Sequence, residues 1–380
     1  MSIVAHYVAQ GAYNARGGLR RRVTSANEAM LGATLDLERL VGLRGTTSRV
    51  TFTYRHGDDL GAKAGFPNLE PVQEIFGRGR IVRLTEAWIE TRLGGDLTAR
   101  AGRMPAGDFA SFPCEFQSLA LCGSQPGHTV SDYWLVWPVS QWGAWARYGS
   151  DRRAYVQAGA YQVTRANLDE DPFEVGSLTG ATGALLPFEA AAFPSIGDAG
   201  LAGSYKVGGW YDTTDAPDVF LNESRQPLLL AGGVPLRRSG RYGGYVSFMQ
   251  ELIRLPHGAG QPTRGLSVFL NVVKADQATA LYDFELAAGL LLRGPFGRRP
   301  ADLAGLGFAT TRVNPRTGRG QRLIDPAAEQ GSERVIELFY SGEVHPGIRV
   351  QPGVQFLDDP GGLQDEPDVV APTLKVSLQF

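Results

Sequence analysis

Along most of the chain apolar and polar side chains alternate in segments of about ten residues, each ended by Gly, Pro, Asp or Asn. This is the period of a half-buried β-strand. Val50, Phe52 and Tyr54 oppose Arg49, Thr51, Thr53 and Arg55. Phe284, Leu286, Ala288, Leu290 and Leu292 oppose Asp283, Glu285, Ala287, Gly289, Leu291 and Arg293, and Val156, Ala158 and Ala160 oppose Tyr155, Gln157, Gly159 and Tyr161. The pattern predicts sixteen strands, at about 4–14, 25–37, 47–56, 80–92, 97–104, 140–149, 153–163, 182–192, 203–213, 240–253, 264–274, 282–293, 303–313, 334–344, 347–357 and 370–380. Helical spacing competes only in the stretch from Asp36 to Leu43, which predicts a short helical turn. Pro187 interrupts the strand at 182–192, yet parity requires it, because without it the short turns on either side would lie at opposite ends of the sheet.

Connections fall into short turns, such as Gly94-Gly95-Asp96 and His345-Pro346-Gly347, and long ones at about 57–79, 105–138, 165–181, 214–239 and 314–333. With sixteen strands every long connection falls at one end, and both termini share the other. Alternation alone also suits a soluble β-sandwich. Strand lengths near the ~9–11 residues of a bilayer crossing, an even count and one-sided long loops favour a closed antiparallel transmembrane β-barrel. Closure pairs every backbone amide within lipid and removes exposed edges. The expected architecture is a single barrel domain over residues 1–380, although a length of 380 would ordinarily suggest two domains.

Composition then narrows the classes. A mean hydropathy of −0.15 looks soluble, but an average does not say which way the apolar side chains point. No apolar run approaches the ~18 residues of a membrane helix, which excludes helical spans and leaves a barrel open. Lys plus Arg number 37 against 39 Asp plus Glu, without a basic block, so no nucleic-acid partner is expected. The start, Met1 to Tyr7, lacks the basic and apolar regions of a signal peptide, which fits either a cytoplasmic chain or a mature form restarted at Met1. Cys114 and Cys122 form no C-x-x-C; a loop disulfide is preferred over buried thiols or a metal site. His6, His56, His128, His257 and His345 are scattered, with no H-E-x-x-H, no G-x-S-x-G elbow and no phosphate loop. No catalytic residue, metal or cofactor is therefore expected, and the chain does not read as an enzyme. Gly305 and Gly307 sit inside an alternating strand and read as close-packing positions in a curved sheet.

If the apolar faces meet lipid, the polar faces line a lumen too wide to be filled by their own side chains. Among these inward residues, Glu86, Trp88, Glu90, Arg100, Arg147, Gln157, Tyr161, Glu189 and Trp210 are candidate solute-binding residues, and Arg83 joins them below through a family resemblance. Charged and amide groups bind sugar hydroxyls in pairs, and aromatic rings pack on sugar C–H faces. A lumen of mixed sign suits neutral polyols, whereas one sign would select ions.

Several stretches, in order, are similar to the OprB-type carbohydrate-selective porins of Gram-negative outer membranes. They are Asp36-Leu37-Glu38-Arg39-Leu40-Val41-Gly42-Leu43, Arg83-Leu84-Thr85-Glu86-Ala87-Trp88, Arg100-Ala101-Gly102-Arg103-Met104-Pro105, Cys114-Glu115-Phe116-Gln117 with Cys122-Gly123, Tyr155 to Tyr161, Leu185-Leu186-Pro187-Phe188-Glu189, Gly208 to Asp212 and Gly240 to Gly244. The resemblance implies sixteen strands, short periplasmic turns, long extracellular loops of which some fold into the pore, and passive uptake of glucose and related small sugars. It also implies that the Cys114/Cys122 loop lies at the pore mouth, with Arg83, Glu86, Glu90 and Arg100 at the constriction. Trp145 stands where the family pattern more often has a basic residue, implying a less cationic lumen. Phe380 resembles the terminal signal read by the outer-membrane assembly machinery. Membrane lipid and lipopolysaccharide are further expected partners, and a monomer or a homotrimer the expected state. The alternatives are a channel for small organic acids or aromatic compounds in the same barrel, or a secreted sugar-binding β-sandwich.

Overall fold

The structure, a computed structural model, describes residues 1–168, 180–256, 258, 260 and 262–380. Sixteen long strands run antiparallel in chain order: β1 Ser2–Tyr13, β2 Val23–Asp36, β3 Thr46–Gly57, β4 Val82–Gly94, β5 Leu97–Met104, β6 Gln141–Ser150, β7 Ala154–Val163 and β8 Gly183–Ala192. They continue as β9 Leu201–Asn222, β10 Pro235–Leu255, β11 Arg264–Ala275, β12 Tyr282–Arg293, β13 Leu303–Val313, β14 Ser332–His345, β15 Ile348–Asp358 and β16 Val369–Gln379. Each pairs with its neighbours in sequence, and β1 closes on β16 from His6↔Gln379 to Ala12↔Thr373. A two-residue strand, Ser195–Ile196, adds only a short pairing to the start of β9. The closed sheet rules out the β-sandwich.

All sixteen predicted strands are present, and the predicted helical turn is the helix Leu37–Val41, capped by the Asp36 side chain and ended by left-handed Gly42. One long connection is corrected. Most of 214–239 is paired strand, with Asp215 opposite Ser239 and Asn222 opposite Pro235, so β9 and β10 run on as a hairpin at the long-loop end. The stretch 169–179 of the expected loop at 165–181, and His257, lie outside the described residues.

Two irregularities have a local cause. Pro187 has no N–H for a ladder; it sits opposite Trp210 on β9, and on its other side the β7 ladder pauses between Ala158↔Phe188 and Tyr161↔Leu185. On β4, Thr51 faces Glu86 but Phe52 faces Leu84, a bulge of one residue. The extra residue reverses the parity, so Arg83 and Glu86, three apart, both turn inward.

Alternation sorts the two faces. Val50, Phe52 and Tyr54 on β3 are exposed on the outside, whereas Thr51, Thr53 and Arg55 are buried inside. The core lies within the barrel, because two long loops fold into it. The loop from β3 to β4 (58–81) brings Leu60, Ala64, Phe66 and Val72 against Val335, Leu357 and Val369. The loop from β5 to β6 (105–140) brings Phe109, Tyr133 and Trp134 against Trp88, Trp145, Trp210 and Tyr245, and Phe116 and Leu121 against Phe269, Leu291 and Phe339. A Cβ at Gly307 would stand 2.8 Å from both Phe116 and Leu121, so this glycine makes room for the loop in addition to any sheet curvature.

Candidate functional site

The two inward loops are held by carboxylates on the barrel wall that accept loop N–H groups. Glu337 on β14 accepts from the backbone of Gln117 at 2.8 Å and Ser118 at 2.7 Å. Glu333, two inward positions away beyond Val335, accepts from Leu69 at 2.9 Å and Gly361 at 2.8 Å. Glu189 on β8 accepts from Ala110 at 2.8 Å, and Glu285 on β12 pairs with His128 Nδ1 at 3.1 Å. A carboxylate accepting backbone N–H groups out of bulk water makes a charge-assisted bond. The loops therefore occupy fixed positions rather than floating in the lumen.

They press toward one side and leave cavities along the other. A cavity of about 490 Å³ is bounded by β1–β3 and β14–β16 on the wall side, and by Glu74, Ile75, Ser111, Phe112 and Trp137 on the loop side. A second cavity of about 430 Å³ opens toward the long-loop end, between Asp58, Lys63, Phe76 and Arg80. Both are lined by Arg55 and Ile75, which mark where they meet. At this neck the Glu28 carboxylate holds Arg55 Nε at 2.6 Å and accepts from Trp137 Nε1 at 2.9 Å. Below it, Lys375 Nζ lies 3.7 Å from Glu74, which also accepts from Gln10 at 2.9 Å. Burial raises the Glu74 carboxyl above its ordinary range, against the opposing pull of Lys375 and Arg55. Cys114 and Cys122 form a disulfide on the loop side of the same cavity. Glu74 lies within 4.8 Å of both sulfurs, but these are bonded to each other and have no thiolate to give a metal.

The ten residues selected from sequence are brought together on the opposite wall, and none lines these two cavities. Most form one ladder. Glu86 pairs with Arg49 at 2.8 Å and accepts from Trp88 at 3.1 Å. The Arg100 guanidinium lies 4.1 Å over Trp88 and 4.8 Å over Trp145, and it pairs with Glu90 at 2.7 Å and with Asp108 of the second loop at 2.8 Å. Arg147 stacks 4.1 Å over Tyr155 and donates to Gln157 at 2.8 Å; Gln157 in turn donates to Glu189 at 2.9 Å. Three members lie under the loops. Arg83 donates to the Arg78 carbonyl at 2.9 Å, Tyr161 packs edge-on to Phe109, and Trp210 donates to the Tyr133 hydroxyl at 2.9 Å. Toward the turn end, the side chains of Glu90, Arg100 and Arg147 keep 29, 16 and 19% exposure.

The neck was only half legible. Glu28 shares its face of β2 with Thr24 and Ala26, so strand parity could have found it, as it found Arg55. Glu74 and Trp137 lie in loops, where no period applies. The signal available was composition: a solvated loop has no use for Phe109, Phe112, Phe116, Leu121, Trp134 and Trp137 within one connection.

Comparison with known proteins places this geometry. A family profile described as "Carbohydrate-selective porin, OprB family" matches residues 20–380. Porin B of Pseudomonas aeruginosa is 35% identical, over 98% of this chain and 86% of that protein. A putative porin, QuiX, of Acinetobacter baylyi is 31% identical over 99% and 88%. The high-pH structure of Pseudomonas putida OprB superposes with a TM-score of 0.94 at 32% identity, covering all of this chain and 94% of the other. The chain belongs to the OprB family of carbohydrate-selective porins, and it is a sugar channel of the Gram-negative outer membrane.

Proposed function

We propose that solutes pass along β1–β3 and β14–β16, that the neck at Glu28, Arg55, Ile75 and Trp137 is the selective point, and that glucose and related small sugars cross it by diffusion without catalysis. The observation that carries this reading is the meeting of a carboxylate, a guanidinium and an indole at one place, all three on the wall of the passage. The first two offer an acceptor and a donor fork to vicinal hydroxyls, and the ring offers a face to C–H groups. Glu28 and Glu74 balance Arg55 and Lys375, so an ion of either sign gains little at the neck while a neutral polyol keeps its hydrogen bonds. Binding there is weak enough for release, as conduction requires.

The ten residues on the far wall serve this site in two ways. Glu189, Arg83, Tyr161 and Trp210 position the inward loops. Glu90, Arg100 and Arg147, which keep partial exposure, form a second polar track toward the turn end that receives the solute after the neck, and Glu86, Trp88 and Gln157 hold them in place. In the same reading the single domain of 1–380 sits in outer-membrane lipid as a monomer or homotrimer, with Phe380 addressed to the assembly machinery.

The test is liposome swelling with glucose, a disaccharide and a carboxylate of glucose size. Glucose should permeate fastest, and Trp137→Ala should weaken block of single-channel current by glucose. Fastest entry of the carboxylate would replace the sugar reading by an organic-acid channel.

A further inference from the structure

The second cavity, of about 430 Å³ at the long-loop end, shares Arg55 and Ile75 with the neck, but most of its lining comes from the single loop 58–81. Lys63 Nζ at 3.3 Å and Arg80 Nη2 at 3.1 Å both meet Asp58 Oδ1 there, and Arg80 Nη2 also donates to the Gly57 carbonyl at 2.7 Å. Among the described residues, Asp58 Oδ2 and the Nε and Nη1 groups of Arg80 have no protein partner. The backbone N–H groups of Gly77, Gly79 and Arg80, residues that line this cavity, have no protein acceptor among them either. Gly77 and Gly79 take left-handed backbone, and a Cβ at Gly77 would meet nothing within 4 Å, so the main chain itself fronts open space. An open carboxylate oxygen, a guanidinium edge and three amides in one cavity supply both the acceptor and the donors that hydroxyl groups need.

These groups are placed before any solute arrives. Gly57, at a φ of 137°, brings the chain so close to β2 that a Cβ would stand 2.2 Å from the Ser25 carbonyl, and that carbonyl accepts from the Asp58 N–H at 2.9 Å. Asp59 caps the short helix Leu60–Ala64 through the Ala62 N–H at 2.9 Å, which fixes the backbone that carries Lys63. Phe76 donates its N–H to the Gln73 carbonyl at 2.9 Å, and the buried Gln73 side chain accepts from Thr24 Oγ1 at 2.9 Å. The Phe76 side chain packs against the cluster of Val8, Ala26 and Ile75 and still lines the cavity. A ring held on one side and open on the other is a platform for C–H groups.

The charges bear on which solute fits. Asp58 and Asp59 equal Lys63 and Arg80 in number, and Arg55 is already paired with Glu28, so neither sign of ion is favoured while a neutral polyol can use every group. The side chains of Asp58, Lys63 and Arg80 are 44, 54 and 66% exposed, so they reach a solute without breaking a buried pair. A volume of about 430 Å³ lies at the small end of the ~300–1,000 Å³ of small-molecule sites, which fits one sugar ring better than a chain of them. We infer that this cavity is an outer sugar-binding subsite, distinct from the neck. It takes one pyranose ring with its C–H face on Phe76, vicinal hydroxyls on Asp58 and Arg80, and a further hydroxyl oxygen on the Gly77 and Gly79 amides. The inference rests on the reading that sugars enter along β1–β3, and it makes the approach to the neck a bound step rather than free diffusion.

The test titrates the detergent-purified full chain, isotope-labelled at glycine, with glucose and follows the Gly77 and Gly79 amide resonances by solution NMR. Both should shift saturably. Phe76→Ala should raise the half-saturating glucose concentration by roughly two- to tenfold, the loss of one ring face. Arg80→Gln, on an exposed side chain whose change leaves the backbone hydrogen bonds of the loop intact, should raise it as well. Trp137→Ala should leave both titrations unchanged while weakening glucose block of the single-channel current. Amides that do not shift, that shift without saturating, or that titrate as in the parent in both Phe76→Ala and Arg80→Gln would overturn the inference. So would loss of the shifts in Trp137→Ala, because glucose at the neck alone would then be moving them. Gluconate saturating the two amides at a lower concentration than glucose would replace the sugar by an anion. Saturable shifts in a channel whose current glucose does not block would sink the neck and leave this subsite standing.

Discussion

Replacing Glu189 by Ala separates a residue that touches solute from one that holds the wall of the passage. Its buried carboxylate accepts from Tyr155 Oη at 2.6 Å and Gln157 Nε2 at 2.9 Å on one oxygen, and from Tyr245 Oη at 2.9 Å and the Ala110 N–H at 2.8 Å on the other. In the Ala variant the two hydroxyls and the amide can turn toward water entering the vacated space. The Ala110 N–H is fixed by its backbone and keeps only the Tyr245 hydroxyl, at 3.2 Å. A buried donor left short of its charged acceptor costs about 1–3 kcal/mol, which raises the undocked population of this part of the loop by roughly 5- to 150-fold. Amide exchange at Ala110 and its neighbours, measured on the protein in lipid nanodiscs, should accelerate by that factor. The ratio of disaccharide to glucose entry into liposomes should rise, because the loop forms one side of the passage. Glucose block should persist, since Glu28, Arg55 and Trp137 are intact. If glucose block were lost while exchange at Ala110 stayed at the parent rate, Glu189 would be contacting solute and the assignment of the passage to the other side of the barrel would be refuted.

Further measurements probe the loops from other directions. Burial raises the Glu70 carboxyl to about 8, helped by Glu285 and Glu333 and opposed by His128 and Arg78. The stabilisation of a raised acid is complete below its ordinary value and is lost as pH rises through the raised one; the protection of residues 66–76, taken as exchange relative to the base-catalysed rate of an unstructured amide, should therefore fall between about pH 4.5 and 8 in the parent and level off above, and Glu70→Gln should remove that dependence. The Cys114–Cys122 bond closes a loop of nine residues and constrains it by roughly 2–3 kcal/mol, so Cys114→Ser with Cys122→Ser should increase open-channel current noise and leave the heat-modifiable mobility of the barrel unchanged. Gly307→Val should push Phe116 and Leu121 off the wall, at about 1–3 kcal/mol, and lower single-channel conductance as the loop shifts into the passage; an unaltered conductance would mean that the contact is not built as described.

The barrel was legible in the sequence because its two solvents impose a period. Lipid outside and a polar interior act on every second residue, so each strand carries its own evidence, and even the strand broken by Pro187 followed from the requirement that short turns share one end. The bulge at Thr85 was not legible as such. A regular strand would have turned Arg83 and Glu86, which differ in parity, to opposite faces, and alternation alone placed only Glu86 inward. The extended β9–β10 hairpin was read as a loop because Asp215, Pro217, Asp218 and Asn222 are turn formers by composition, and pairing with Arg237 to Ser239 overrode that preference.

The division of the lumen is a different kind of problem. Parity tells which residues leave the lipid, but it does not tell what they meet on the other side. Trp88, Trp145 and Trp210 were inward by pattern, and an inward aromatic in an open lumen reads as a sugar platform. The same aromatic beneath Tyr133 and Trp134 is core. Which holds depends on a loop whose position is fixed by Glu189, Glu285 and Glu337 on three separate strands, and no local window contains both the acceptor and the N–H it holds. What the sequence did carry was an imbalance: a 36-residue connection rich in Phe, Trp and Leu cannot remain in water, and a barrel of sixteen strands has a lumen to put it in. With that connection filling the side lined by β4–β13, the proposed passage takes the side along β1–β3 and β14–β16, where Glu28 and Arg55 face the first cavity.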